Sequence, residues 1–228
     1  MSRNREMLRR VAVALAGVPG EIVFVGGTVV DLLVTDEAAP APRVTGDVDV
    51  VIEAATWGDY TVLTERLRGR GFREDAREGA PTCRWLLDDL VVDIMPAPFD
   101  RLGFANRWYA RAFEFADVHD IGDCVSIRVP VAPLLLAMKW EAFRSKTRGD
   151  VRESRDVEDI VALLDGRAGI IAEVASAPAE VRTFVRECAA GLLADPQVTE
   201  VIAGHLPGDP ASQGRAVVVL DRLRLLSG

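Results

Sequence analysis

Two aspartates, Asp47 and Asp49, stand two positions apart in DVDVVI, a segment whose other members are valine or isoleucine. The apolar residues read as a buried strand, where a carboxylate is costly unless something pairs with it. In a strand, side chains at i and i+2 project from one face, roughly 6–7 Å apart. Two carboxylates that close repel, and a divalent cation is their natural partner. A third acid, Asp93, interrupts a second apolar strand, LVVDIMP. If the two strands are antiparallel neighbours, the three acids converge. Three carboxylates can hold two Mg²⁺ ions about 3.5–4 Å apart, the arrangement that clamps an in-line phosphoryl displacement. The turn VGGT suits the other half of that chemistry. Gly26 and Gly27 let backbone approach an anion, and the following amides and the Thr28 hydroxyl can hydrogen-bond phosphate oxygens. Taken alone, a Gly-Gly pair after a strand is also an ordinary turn. It is neither a dinucleotide fingerprint nor a P-loop, because G-x-G-x-x-G and G-K-[ST] are absent, and GDVDV lacks the spacing of a calcium loop.

The elements that must position these residues follow from periodicity and punctuation. A first helix spans about 5–17, then IVFVGG is a strand and TVVDLLV a helix opening at Thr28. A proline-bearing loop leads to the strand at 47–53, and 59–70 is helical with Tyr60, Leu63 and Leu67 on one side. GFRED, TCRWLL and LVVDIMP read as strands, the last stopped by Pro96 and Pro98. RLGFANRWYARAFEF reads as a helix and CVSIRVP as a strand. From Val131 onward the helical period takes over in VAPLLLAMKWEAFRSK, ESRDVEDIVALLDG, AEVRTFVRECAAGLLA and GRAVVVLDRLRLL. This pattern predicts an α+β protein. Its mixed β-sheet core with flanking helices occupies 1–130, and a helical subdomain occupies 131–228.

Composition bounds the function. With 228 residues, 49% apolar and 27% charged, the chain is globular in class, and no run reaches the roughly 20 apolar residues of a membrane span. The start, MSRNREMLRRVAVALAG, imitates a signal peptide, yet Leu8, Val11, Ala12, Leu15 and Val18 fall at helical spacing and a strand follows. Three scattered cysteines, Cys83, Cys124 and Cys188, form neither a zinc spacing nor a disulfide framework and point to a reducing cytoplasm. Two histidines exclude a His-rich metal site. The net charge of −8 argues against a nonspecific coat for nucleic acid, although 66–77 and 139–155 are locally basic.

The order strand, Gly26-Gly27-Thr28, helix, loop, Thr45-x-Asp47-Val48-Asp49, then a lone Asp93 on a later strand resembles the nucleotidyltransferase superfamily with the DNA polymerase β-type fold. The resemblance covers about residues 20–96 closely and extends more loosely to about 165. It implies that Asp47, Asp49 and Asp93 bind two Mg²⁺ ions, that the Gly26-Gly27-Thr28 turn binds the nucleotide, and that an acceptor hydroxyl attacks the α-phosphorus of a nucleoside triphosphate such as ATP. Asp93 would help deprotonate the acceptor and pyrophosphate would leave.

The second half narrows the likeness. Lys139 on one helix, before Arg155-Asp156 and Asp159 on the next, resembles the toxin component of AbiEii-type and MenT-type toxin–antitoxin systems. That branch implies that Lys139 contacts the triphosphate and assists the reaction, and that Asp156 orients the lysine or the nucleotide. It also implies a tRNA 3′ end as acceptor and a cognate antitoxin as partner. The bland accounts are a snorkelling surface lysine and acids favoured at a helix N-terminus. Two other branches share the head of the chain. In tRNA CCA-adding enzymes and poly(A) polymerases an arginine precedes the helix aspartate, whereas here Val30 precedes Asp31. Antibiotic-modifying nucleotidyltransferases join the same core to a helical tail and act on small hydroxylated molecules. A module of the same fold that binds nucleotide without turnover is the non-enzymatic reading.

Overall fold

A computed structural model describes residues 2–98, 106–145 and 150–228. The chain divides into two compact units, one formed by 1–29 and 44–131, the other by 30–43 and 132–228. Among the described residues no helix is long and apolar enough to cross a membrane.

The first unit opens with helix α1 (Arg3–Leu15), which Ser2 caps by accepting a hydrogen bond from the Arg5 amide. Its buried stripe of Asn4, Met7, Leu8, Val11 and Leu15 has the i, i+3, i+4 spacing of a one-sided helix. Strand β1 (Ile22–Val25) follows, and Gly27–Val29 makes a turn of 3₁₀ helix where the sequence suggested the start of an α-helix. Helix α2 (Val30–Leu33) is short and belongs with the second unit. The first unit resumes with β2 (Asp47–Ala54), α3 (Trp57–Gly69), β3 (Arg73–Glu74), β4 (Arg84–Leu87) and β5 (Leu90–Pro98). A capping box between Thr56 and Asp59 fixes the start of α3. Helix α4 (Tyr109–Ala112) and the hairpin of β6 (Ala116–Asp120) and β7 (Ser126–Pro130) complete the unit. Residues 101–105 of the helix expected over 101–115 lie outside the described residues, as do Lys146 and Arg148 of the basic stretch.

One sheet has the order β1-β2-β5-β4-β3 and β6-β7 form a second. β1 runs antiparallel to β2, and β4 antiparallel to β5. The central pair, β2 and β5, is parallel, which corrects the antiparallel arrangement under which the sequence brought the three acids together. The chain returns to its starting end through α3, β3 and β4 before entering β5, the long crossover that parallel neighbours require. Pro96 does not stop β5, which pairs with β2 as far as Pro98, its last residue. On its other side β5 is paired with β4 only over Leu90–Asp93, so there an absent proline N–H breaks no ladder. Val48, Val50, Val51 and Ile52 are fully buried at the centre of this sheet.

The second unit is helical: α5 (Ala132–Ser145), α6 (Arg155–Gly166), α7 (Ile170–Ser176), α8 (Ala179–Leu193), α9 (Val198–Gly204), α10 (Pro210–Gly214) and α11 (Ala216–Ser227). α5 is buried on every side from Ala132 to Trp140, so it is the unit's central helix. The segment 30–43 is anchored to α6. The amides of Thr35 and Asp36 donate to the Gly166 carbonyl, Arg167 donates to the Leu33 carbonyl, and Arg215 bridges Asp36 and Asp165.

The three thiols differ in access. Cys83 and Cys188 are buried and Cys124 is exposed at a turn, where its φ is +58°. Burial pushes the Cys188 thiol up from its ordinary range. Iodoacetamide at pH 8 is expected to modify Cys124 alone in the native protein, with Cys83 and Cys188 following only after unfolding. Peptide mass spectrometry checks this, and rapid native labelling of Cys188 would contradict it.

Candidate functional site

The acids sit where β1, β2, β5 and β4 lie side by side. Asp49 is the register partner of Asp93 across the parallel pair, and in-register residues of neighbouring strands share a face. Asp47, two residues upstream on β2, shares that face too. The three carboxylates therefore gather on one side of the sheet despite the corrected strand direction. Their exposures differ. Asp93 is buried, whereas Asp47 and Asp49 are half-buried among fully buried valines.

The glycine turn meets the same spot. Val25, the last residue of β1, pairs with Asp49, and Gly26 follows at φ +79°, a region that disfavours a side chain. A Cβ built on Gly26 would lie 1.9 Å from Asp49 Oδ2 and 2.8 Å from Asp49 Cβ. Gly26 is thus required by conformation and by close approach to an acid. Gly27 and Thr28 are buried in the 3₁₀ turn. The Thr28 hydroxyl donates to the Asp47 carbonyl at 3.3 Å, and the Thr45 hydroxyl donates to the same oxygen at 3.1 Å. Thr28 accordingly braces the start of β2. α1 braces the same region, since Asn4 accepts from the Thr45 amide and Arg10 pairs with Asp89 at 2.6 Å in the β4–β5 turn.

One member of this face carried no signal of its own in the sequence. Arg84, on β4, is the register partner of Asp93 on the side away from β2. Its Nε donates to Asp93 Oδ1 at 2.8 Å and its Nη2 to Asp93 Oδ2 at 2.7 Å, the paired geometry that makes arginine–carboxylate contacts strong. Nη2 also lies 3.9 Å from Asp47 Oδ2. The hydrogen bond to Asp93 holds the Arg84 pKa above the ordinary arginine range. The hairpin could have disclosed this pairing. Counting back equally from a two-residue turn at Asp88-Asp89 places Arg84 opposite Asp93.

Carboxylates on a shared face are the donor type a hard divalent cation takes. Among the described residues, however, no group of three or more His, Cys, Asp or Glu side chains is set to hold a metal ion as the side chains now stand. Arg84 engages both oxygens of the third acid.

Lys139 and Asp156 belong to the second unit. Lys139 is buried on α5, and its Nζ lies 2.7 Å from Asp159 Oδ2 and 3.5 Å from Asp156 Oδ1. Asp156 and Asp159, three apart on α6, share a helix face. Asp159 also accepts from Arg43 at 3.0 and 3.2 Å, so one carboxylate balances two cations with only 2% of its side chain exposed. Asp159 therefore holds Lys139 more closely than Asp156 does, and Arg43 is a member that periodicity could not reveal. Asp159→Asn is expected to destabilise the protein by about 3 kcal/mol, because the buried Lys139 and the half-buried Arg43 lose their closest anion and keep Asp156 at 3.5 Å and Glu158 at 3.6 Å. Urea unfolding measures it, and a change below about 1 kcal/mol would mean the network carries little of the fold.

No protein-family model matches the chain, and no curated protein matches it by sequence. Solved structures do. The chain is similar to an antigenic nucleotidyltransferase-like protein from Paracoccidioides brasiliensis, with 16% identity, a TM-score of 0.53, and 88% of this chain and 92% of that one covered. It is also similar to JHP933 from Helicobacter pylori, with 12% identity, a TM-score of 0.52, and 100% and 93% covered. The chain is an α+β protein with a nucleotidyltransferase-like fold.

Proposed function

We propose that the protein transfers a nucleoside monophosphate from a nucleoside triphosphate to an acceptor hydroxyl. The observation that carries the reading is the gathering of Asp47, Asp49 and Asp93 on one sheet face against the Gly26 turn. The pairing of Arg84 with Asp93 accounts for one of the three acids structurally and leaves Asp49 and the repulsion among them to be explained. Three carboxylates side by side repel one another, and apolar residues at those positions would pack at less cost. The reading rests on the first unit.

In the reaction the acceptor oxygen bonds to the α-phosphorus, the bond from that phosphorus to the oxygen bridging to the β-phosphate breaks, and pyrophosphate departs. Asp47, Asp49 and Asp93 would hold Mg²⁺, which supplies neutralisation of the phosphate oxygens and of the charge developing on the leaving group. Asp93 would take the proton of the acceptor hydroxyl as general base once its oxygens are free of Arg84. The backbone at Gly26 and Gly27 admits the phosphates closely, because neither residue projects a side chain.

The toxin-type branch is supported by the order of Lys139 before Asp156 and Asp159 on the following helix. It makes a tRNA 3′ end the acceptor and an antitoxin the partner. Incubation with each α-³²P-labelled nucleoside triphosphate, Mg²⁺, and either total tRNA or small-molecule extract tests the proposal. Label on RNA supports this branch, and label on a small molecule supports the antibiotic-modifying one. Nucleotide binding without transfer to either acceptor overturns the proposal in favour of a non-catalytic module.

A further inference from the structure

Arg84 is a fixed cation among acids that the proposed chemistry assigns to a different cation. It comes from the neighbouring strand in register with Asp93, uses two donors on both Asp93 oxygens, and lies within 3.9 Å of Asp47. Its placement follows from the sheet, because a register partner on an antiparallel neighbour must share the face of its partner. The acids, the arginine and the glycine turn therefore form one local charge balance. Among the described residues Arg84 is the cation that contacts Asp93 and Asp47, and no group of three acids there is set to hold a metal ion. A surface ion pair would add little in such a place, but Asp93 is buried and its partner mostly so.

We propose that Arg84 is a resident counter-ion of this acid face, and that a divalent cation takes Asp47, Asp49 and Asp93 together as ligands only as Arg84 gives up Asp93. The inference rests on the reading that these acids bind a divalent cation, and it adds the residue that sets how much cation is needed. Without metal, the guanidinium satisfies the buried Asp93 and offsets repulsion from Asp47. With metal, the same carboxylate oxygens gain a doubly charged partner, and Arg84 is released toward solvent on its flexible stem. Arg84 is thus a positioning residue that competes with the cation for Asp93.

The test is Mn²⁺ binding to the full chain, followed by electron paramagnetic resonance of the free ion, in the wild type, Arg84→Gln, Arg84→Lys and the double variant Arg84→Gln/Asp93→Asn. Arg84→Gln is expected to bind Mn²⁺ about tenfold more tightly, equivalent to about 1.4 kcal/mol. Arg84→Lys, which keeps the charge but loses the two-pronged contact, should fall between. The double variant should lose the gain. Thermal melting supplies a second readout. Metal-free Arg84→Gln should melt below the wild type, and Mg²⁺ should raise its midpoint more than it raises that of the wild type.

Equal Mn²⁺ affinity in the wild type, Arg84→Gln and Arg84→Lys, or weaker binding in both single variants, overturns the inference while leaving the metal reading standing. Failure of all four proteins to bind Mn²⁺ sinks the metal reading and the inference with it. Should Arg84→Gln not fold at all, with or without Mg²⁺, the Arg84→Lys affinity decides alone.

Discussion

Asp47→Asn and Asp49→Asn are each expected to lower nucleotidyl transfer by on the order of 10³-fold, about 4 kcal/mol of transition-state stabilisation, with the fold unchanged. The two halves of that expectation come from the same geometry. Each aspartate is half-buried on a face shared with two other carboxylates, so asparagine removes no packing, and the repulsion relieved offsets what Asp47 loses at 3.9 Å from Arg84. The circular-dichroism melting midpoint should therefore stay where it is or rise. Loss of transfer with an intact melt separates a chemical role from a structural one. Full turnover in both variants would show that these acids are not the reacting centre.

Gly26→Ala has the larger structural consequence. A residue with a Cβ at φ +79° is strained by about 1–2 kcal/mol, and here the added carbon would also overlap the Asp49 side chain, including its Cβ at 2.8 Å. Relief requires that β1 and β2 shift apart at the pair Val25–Asp49, or that the Asp49 carboxylate leave its place. A total loss of about 3 kcal/mol is expected by denaturant unfolding, together with loss of transfer. A double-mutant cycle isolates the clash. In an Asp49→Gly background, Gly26→Ala should cost only the conformational part, about 1–2 kcal/mol. If the full cost persists there, the overlap with Asp49 is not its source.

The acids and the glycine turn were legible because each breaks a local rule. Asp47, Asp49 and Asp93 are charges inside valine runs, and Gly26 interrupts a strand-to-helix passage. The elements were legible where periodicity was long, as in α1, α3, α5, α6, α8 and α11. Short elements escaped. β6 reads ADVHD, too acidic and too brief to stand out, and α7, α9 and α10 have five to seven residues each. The direction of the β2–β5 pair escaped for a different reason. Both strands are apolar runs, and pairing direction depends on how the intervening chain crosses, which neither run encodes. Pro96 misled because a proline reports the absence of a donor but not which flank of the strand is already unpaired. Arg84 and Arg43 obey every local rule. A register and a long-range ion pair give them their meaning, so no scan for unusual residues could single them out.

Residues 30–43 have a consequence for biosynthesis. They leave the ribosome well before their partners: the Leu33 carbonyl waits for Arg167, 134 positions on, and Asp36 waits for Arg215, 179 positions on. At roughly 5–20 residues per second that wait is on the order of ten seconds. Throughout it Val34, whose methyls pack where Gly166 lacks a side chain, has no surface to cover. A nascent chain halted near residue 131 would thus hold every residue of the first unit yet present a dangling apolar loop in its middle, a natural handle for chaperones.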